Sequence, residues 1–238
     1  MIWPGLAAPW QAAIEEAWDS YRARTNPIGA VICDPAGRIL ARGRNRILDP
    51  AACAGQLNGT RLAHAEVNAL LQLRDPDLDP RDLVLYTTVE PCPLCVGAVV
   101  TARLREIRYA SRDPWAGSMS LLEQNAYLAS KQVRREGPAD RLLEEALKVL
   151  AVEAGLRRGE GTRGAAVRES YRALLPDAVA AGELLFASGE LHELAASGGT
   201  APQALALLES RVTLRRPDPS SLDAGHPTAQ ATTAPEPL

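Results

Sequence analysis

Four side chains in this 238-residue sequence have types and spacing suited to chemistry. His64-Ala65-Glu66 stands at the start of one expected helix, and Pro91-Cys92-Pro93-Leu94-Cys95, after 24 intervening residues, at the start of another. Two cysteines three apart at a helix start lie on one side, where the positive end of the helix dipole favours the thiolates a metal needs. With His64 as a nitrogen donor, the set suits a zinc ion, and three protein ligands leave one tetrahedral position for water, as in catalytic rather than structural sites. Two thiolates and a neutral imidazole cancel the ion's charge, so the water is acidified less than in an all-histidine site. A proton acceptor is then useful, and Glu66 is the candidate: it takes the water's proton and passes it to a leaving nitrogen. Residues two apart on a helix point about 200° away from each other. His64 and Glu66 therefore serve one ion only if it sits over the helix end, with both helices aimed into one pocket.

Each piece alone has a plainer reading. A lone C-x-x-C is a redox pair or half a structural zinc site, and a lone H-x-E means little. A structural zinc would need a fourth ligand from Cys33, Cys53, His192 or His226. Cys33 falls in an expected core strand and Cys53 in a loop, and the late histidines read as surface residues.

The motifs need a scaffold. Residues 9–24 place apolar side chains at helical spacing after Pro9. Ile28–Cys33 and Arg38–Arg42 flank Asp34-Pro35-Ala36-Gly37, the chemistry of a hairpin turn. A long polar loop over 43–61 precedes a helix over 63–74. Then come a buried strand over 83–89, a helix from Pro93 to about Arg103, a strand at 107–109, a helical stretch over 119–130, a short strand over 132–136 and a strong helix over 138–154. A hairpin followed by strand–helix alternation predicts a three-layer αβα fold with a mixed central sheet of about five strands. Three or four short helices are expected within 162–214, and five prolines in the last 22 residues predict a disordered end. The expected organisation is a chemistry-bearing domain over 1–159, an all-helical extension over 160–215 and a disordered tail over 216–238.

Composition narrows the classes. Apolar residues make up 46% and charged residues 23%, which is ordinary for a globular protein. No apolar run approaches the roughly 20 residues of a membrane span, and Met1–Leu6 does not read as a secretory signal, so a cytoplasmic location without membrane association is expected. Four cysteines are too few for a disulfide scaffold. Net charge is −3; residues 1–157 balance 19 basic against 19 acidic side chains, leaving 7 against 10 in 158–238. The basic surplus of a phosphate-tracking domain is missing. Arg42, Arg44 and Arg46 alternate along a strand edge and either meet phosphates or form a solvated face; Arg103, Arg105 and Arg108 pose the same question.

H-x-E followed at this distance by P-C-x-x-C is the signature of zinc deaminases. The sequence resembles the cytidine/deoxycytidylate deaminase superfamily, and more narrowly its branch of bacterial tRNA adenosine deaminases and guanine deaminases. Thr88–Ala98 resembles that branch's strand-to-helix segment, Ala110–Ser118 its loop after the fourth strand, and Val133–Gly137 its last strand, with a coverage of about 8–157. The resemblance implies a cytidine deaminase-like fold, Zn2+ held by His64, Cys92 and Cys95, and Glu66 as proton carrier. It also implies a substrate contact from Asn45 and a homodimer; in a deaminase the backbone near Ala65 or Cys92 would contact the ring, and Trp115 either stacks on the base or is a buried or interface residue. Two features depart from the pattern: thirteen residues separate Asp49-Pro50 from His64, and the helical addition over 160–215 is foreign to it.

Three functions follow as expectations. The first is hydrolytic deamination of a nucleobase or nucleoside, favoured by the balanced charge. The second is adenosine-to-inosine editing of tRNA, where a base splays out of a loop into the same pocket. The third is a non-catalytic zinc-binding assembly module, against which Glu66 argues.

Overall fold

Pro9 in the first turn starts helix α1 (Ala8–Arg22), whose Ala12, Ala13, Ile14, Ala17, Trp18 and Tyr21 are buried on one side. The computed structural model describes residues 1–50, 53–75, 77–159 and 161–213; the expected tail over 216–238 lies outside these residues. Strands β1 (Gly29–Cys33) and β2 (Ile39–Arg44) form the hairpin. Asp34 Oδ1 accepts from the backbone N–H of Ala36 and of Arg38, at 3.0 and 2.9 Å, and Gly37 takes a φ of 82°, a geometry that favours glycine.

Helix α2 (Ala65–Leu70), strand β3 (Val84–Thr87), helix α3 (Pro93–Thr101) and strand β4 (Glu106–Tyr109) follow. Helices α4 (Leu121–Gln124) and α5 (Ala126–Ala129) lead to strand β5 (Arg134–Glu136). The stretch expected to be helical over 119–130 is thus two single turns. Asn125 breaks it with extended backbone, and its Oδ1 caps the second turn by accepting from Tyr127 and Leu128 N–H.

The five strands run in the order β2-β1-β3-β4-β5. β1 is antiparallel to β2 and β3, whereas β3, β4 and β5 are mutually parallel. Alternation along β1 divides the core: Ala30 and Ile32 face Ala65, Ala69, Val96 and Val99 of α2 and α3, and Val31 and Cys33 face Ala12 and Ala13 of α1. This is the mixed-sheet, three-layer αβα architecture. Close approach sets the site's distance from the sheet. A Cβ on Gly43 would lie 2.2 Å from Ala69 N and 2.3 Å from Ala65 O, so only glycine lets β2 lie against α2.

Helix α6 (Arg141–Arg158) is capped by Asp140, which accepts from Leu142 and Leu143 N–H, and ends at Gly159 with a left-handed φ of 69°. The helical C-terminal region comprises α7 (Gly161–Leu174), α8 (Pro176–Ser188), α9 (Glu190–Ala196) and α10 (Ala201–Thr213). Its apolar residues pack against α1 and α6. Leu175, Leu185, Leu191, Leu205 and Leu208 join one cluster with Ile14 and Trp18 of α1 and Leu143, Leu147 and Leu150 of α6. Burying each leucine contributes about 1.5–3 kcal/mol. Trp18 Nε1 donates to Gly199 O at 2.7 Å and ties α1 to the turn before α10. Among the described residues no helix is long and apolar enough to cross a membrane.

Candidate active site

His64 is the N-cap of α2 and Cys92 the N-cap of α3, both with extended backbone (ψ 153° and 173°). His64 therefore precedes the helix that carries Glu66, and the 200° separation of two helical residues does not apply. This local geometry lets a two-residue spacing serve one centre. The α3 turn adds Cys95, buried at 0% exposure.

His64 Nδ1 lies 3.5 Å from Cys92 Sγ and 3.4 Å from Cys95 Sγ, and the two sulfurs are 3.6 Å apart. Tetrahedral zinc with ordinary Zn–S and Zn–N lengths requires ligand separations of about 3.5–3.8 Å. The donor set and its spacing thus fit a zinc ion, and among the described residues this group of possible ligands has three members. Contact with Cys95, reinforced by His64, holds the Cys92 thiol down at about 4 despite burial. Cys95 is pushed up by the same contact and by burial. Cys92 raises the His64 imidazole, against its desolvation.

Glu66, in the first turn of α2, is 4% exposed. Thr87 Oγ1 of β3 donates to Glu66 Oε1 at 3.3 Å, and burial pushes the carboxyl pKa up. Thr87 carries no motif signal; only its inward place on a central strand could have marked it.

Asn45 follows β2 and is 1% exposed. Its Oδ1 accepts from Thr25 Oγ1 at 2.7 Å and from Ile47 N–H at 3.2 Å, while its Nδ2 is buried without a partner among the described residues. Ala65 is buried as the first residue of α2. Trp115 is 48% exposed on the loop after β4. That loop is pinned beside Cys92: Glu90 N–H donates to Ser111 O at 2.7 Å, Ser118 N–H donates to Pro91 O at 2.9 Å, and the Glu90 carboxylate accepts from Asp113 and Met119 N–H, each at 3.3 Å.

Two groups lie outside the motifs. Asn68 clamps the loop before His64 by accepting from Leu57 N–H at 2.7 Å and donating to Leu57 O and Arg44 O, both at 3.1 Å. Glu144 of α6 holds Arg112 through its guanidinium and its N–H, and Lys148 donates to Arg112 O at 2.8 Å. Helix spacing alone marks Glu144 and Lys148 as an ordinary i,i+4 pair. The alternating arginines also depart from the sequence reading. Arg44 and Arg46 are mostly buried and share the Asp49 carboxylate, and Arg42 pairs with Glu15 at 2.9 Å, so this run is neither a solvated face nor a row of free cations.

The profile of the cytidine and deoxycytidylate deaminase zinc-binding region matches residues 8–111. The chain is 35% identical over 116 residues to a tRNA-specific adenosine deaminase of Agrobacterium fabrum, covering 46% of this chain and 67% of that protein. It is 32% identical over 168 residues to a tRNA(Ile)-lysidine synthase of Deinococcus radiodurans, covering 67% of this chain but only 24% of that protein. The chain thus spans about a quarter of that relative's length. It is also 39% identical over 92 residues to the guanine deaminase of Bacillus subtilis, covering 36% of this chain and 50% of that protein.

Proposed function

We infer the reaction from one premise: this chain belongs to the family of cytidine and deoxycytidylate deaminases. The activity we propose is zinc-dependent hydrolytic deamination of an amino-bearing nucleobase or nucleoside, in which a ring C–NH2 becomes C=O, one water is consumed and one ammonia leaves. The observation that carries it is the buried Glu66 carboxyl beside a cluster of three ligand atoms. His64, Cys92 and Cys95 would hold the ion, which when bound supplies Lewis-acid polarisation to the attacking water.

The chain's own groups do the rest. Glu66, held by Thr87 and with its pKa raised by desolvation, accepts the water's proton and delivers it to the departing nitrogen. Asn45 keeps Nδ2 unpartnered while Thr25 and Ile47 fix its Oδ1, so that the amide presents a donor to the ring's acceptor atoms. Half-exposed Trp115 supplies an aromatic face for the base, on a loop stapled by Glu90.

The test is ammonia release from cytosine, adenine, guanine, their nucleosides and bulk tRNA by zinc-loaded protein. Release from at least one supports the reading, and release from none sinks it. Editing of tRNA is the second reading, supported by two relatives whose names refer to tRNA. It requires inosine in treated tRNA and binding that falls steeply with salt. A homodimer belongs to the same proposal. Leu62 and Leu94 are exposed large apolar residues flanking the site in sequence, and a second subunit would cover them. Sedimentation of the full chain at micromolar concentration tests this.

A further inference from the structure

A cavity of about 540 Å3 opens where the end of α1 meets β2, the end of α6 and α9, and none of His64, Glu66, Cys92 or Cys95 lines it. Five arginines do: Arg22, Arg24, Arg44, Arg157 and Arg158. Asp19 is the acidic lining residue and His192 a further titratable one. Guanidinium groups therefore outnumber carboxylates in the cavity lining, although several of them are paired.

Helix ends explain part of it. Arg22 lies in the last turn of α1, and Arg157 and Arg158 in that of α6, where cations complement the dipole. Arg157 is bonded to Glu153, Arg44 to Asp49, and Arg22 stands 3.6 Å from Asp19. Arg24 is different. It is exposed, makes no ion pair among the described residues, and holds a φ of 59°, a left-handed geometry that glycine or asparagine would adopt more readily. Arg24 thus stands on the rim of the cavity with its guanidinium open to solvent and without an ion pair among the described residues.

We propose that this cavity binds phosphate groups, with Arg24 as the main contact that the fold leaves open. Planar guanidinium groups match phosphate oxygens in pairs of hydrogen bonds. The cavity wall also touches the candidate substrate contact: Arg158 Nη1 donates to Thr25 O at 3.0 Å, Thr25 Oγ1 donates to Asn45 Oδ1, and Arg44 immediately precedes Asn45. A phosphate held here would be linked to Asn45 through Thr25. Phosphate capture needs no deamination chemistry; only its link to the substrate rests on the reading of Asn45 given above. Part of the wall, from α6 and α9, lies outside the 8–111 match.

The phosphate can come from an RNA strand or from a free nucleotide. A labelled RNA hairpin, AMP and pyrophosphate are titrated against zinc-loaded full-length protein at about 50 mM and about 200 mM salt. Arg24→Glu should weaken binding by about tenfold or more and flatten the salt dependence, while Arg163→Glu, an exposed charge reversal on α7, should change it less than about twofold. Arg24→Gly separates binding from folding, because it should raise Tm and still lose affinity. Competition by AMP or pyrophosphate identifies a free phosphate as the source; binding of the hairpin without such competition identifies the strand. The proposal is overturned if the wild type binds no probe at the lower salt, or if Arg163→Glu weakens binding as much as Arg24→Glu.

Discussion

Glu66 and Lys148 are both buried ionisable side chains, one beside the ligand cluster and the other where α6 meets the C-terminal helices, and their surroundings treat them differently. Glu66 has the Thr87 hydroxyl at 3.3 Å and the ligand-bearing Cys95, and burial pushes its pKa up. Lys148 is 1% exposed, donates to Arg112 O, lies 3.9 Å from the centre of the Tyr171 ring, and has Glu144 one turn away; burial lowers it to about 8. Desolvation disfavours the charged form in both cases. At the ligand cluster the result is a carboxyl that can carry a proton. At the helical junction it is a cation that fastens the loop carrying Trp115 to α6 and, through Tyr171, to α7. The C-terminal helices thus brace the loop after β4, and among the described residues they add no member to the candidate ligand group.

The sharpest break in that contrast comes from the ligand end. Glu66→Gln should lower turnover by about 10³-fold or more while bound zinc and Tm stay at wild-type values, because it removes the proton carrier and keeps the shape. Cys92→Ala should abolish turnover and lose the metal, and chelation of wild-type protein should do the same reversibly. Metal analysis beside ammonia release distinguishes the two, and a Glu66→Gln enzyme with wild-type turnover would remove the proposed proton carrier.

At the junction the effect is on stability and has a definite sign. Lys148 titrates near 8 when folded and near 10.5 when unfolded, so the unfolded chain binds more protons between these values. The burial penalty is full below about pH 8 and is relieved as pH rises towards 10.5, by about 3 kcal/mol. Urea unfolding across that range should show the rise in wild type and a flat response in Lys148→Met. A smaller effect is expected one layer deeper. A Cβ on Gly182 of α8 would lie 2.7 Å from Val152 Cβ of α6, so Gly182→Val should cost about 2 kcal/mol, read from urea midpoints, with turnover per folded molecule unchanged. The smallest is Asn45→Ala. It loses one donor to substrate and should lower kcat/KM by about tenfold, mainly through KM, with a modest fall in Tm from the lost Thr25 contact.

Much of the site was legible because its residues are local. H-x-E and P-C-x-x-C each lie within one turn, and the apolar run through Leu83–Val89 marks the strand that delivers the second motif. The first hairpin was legible from Asp34-Pro35-Ala36-Gly37 for the same reason. The misread stretch over 119–130 shows the limit, since Asn125 continues the helical pattern but caps a new turn instead.

Local chemistry alone pointed to the candidate ligand types, the candidate proton carrier and the order of helices and strands, because spacing and turn residues act over a few positions. Long-range packing decided that His64 stands outside its helix, that Thr87 holds Glu66, that Asp49 takes up Arg44 and Arg46, and that Lys148 joins the loop to α7. Those partners are separated by many residues or depend on a backbone angle, and only the closing of the sheet against its helices brings them together.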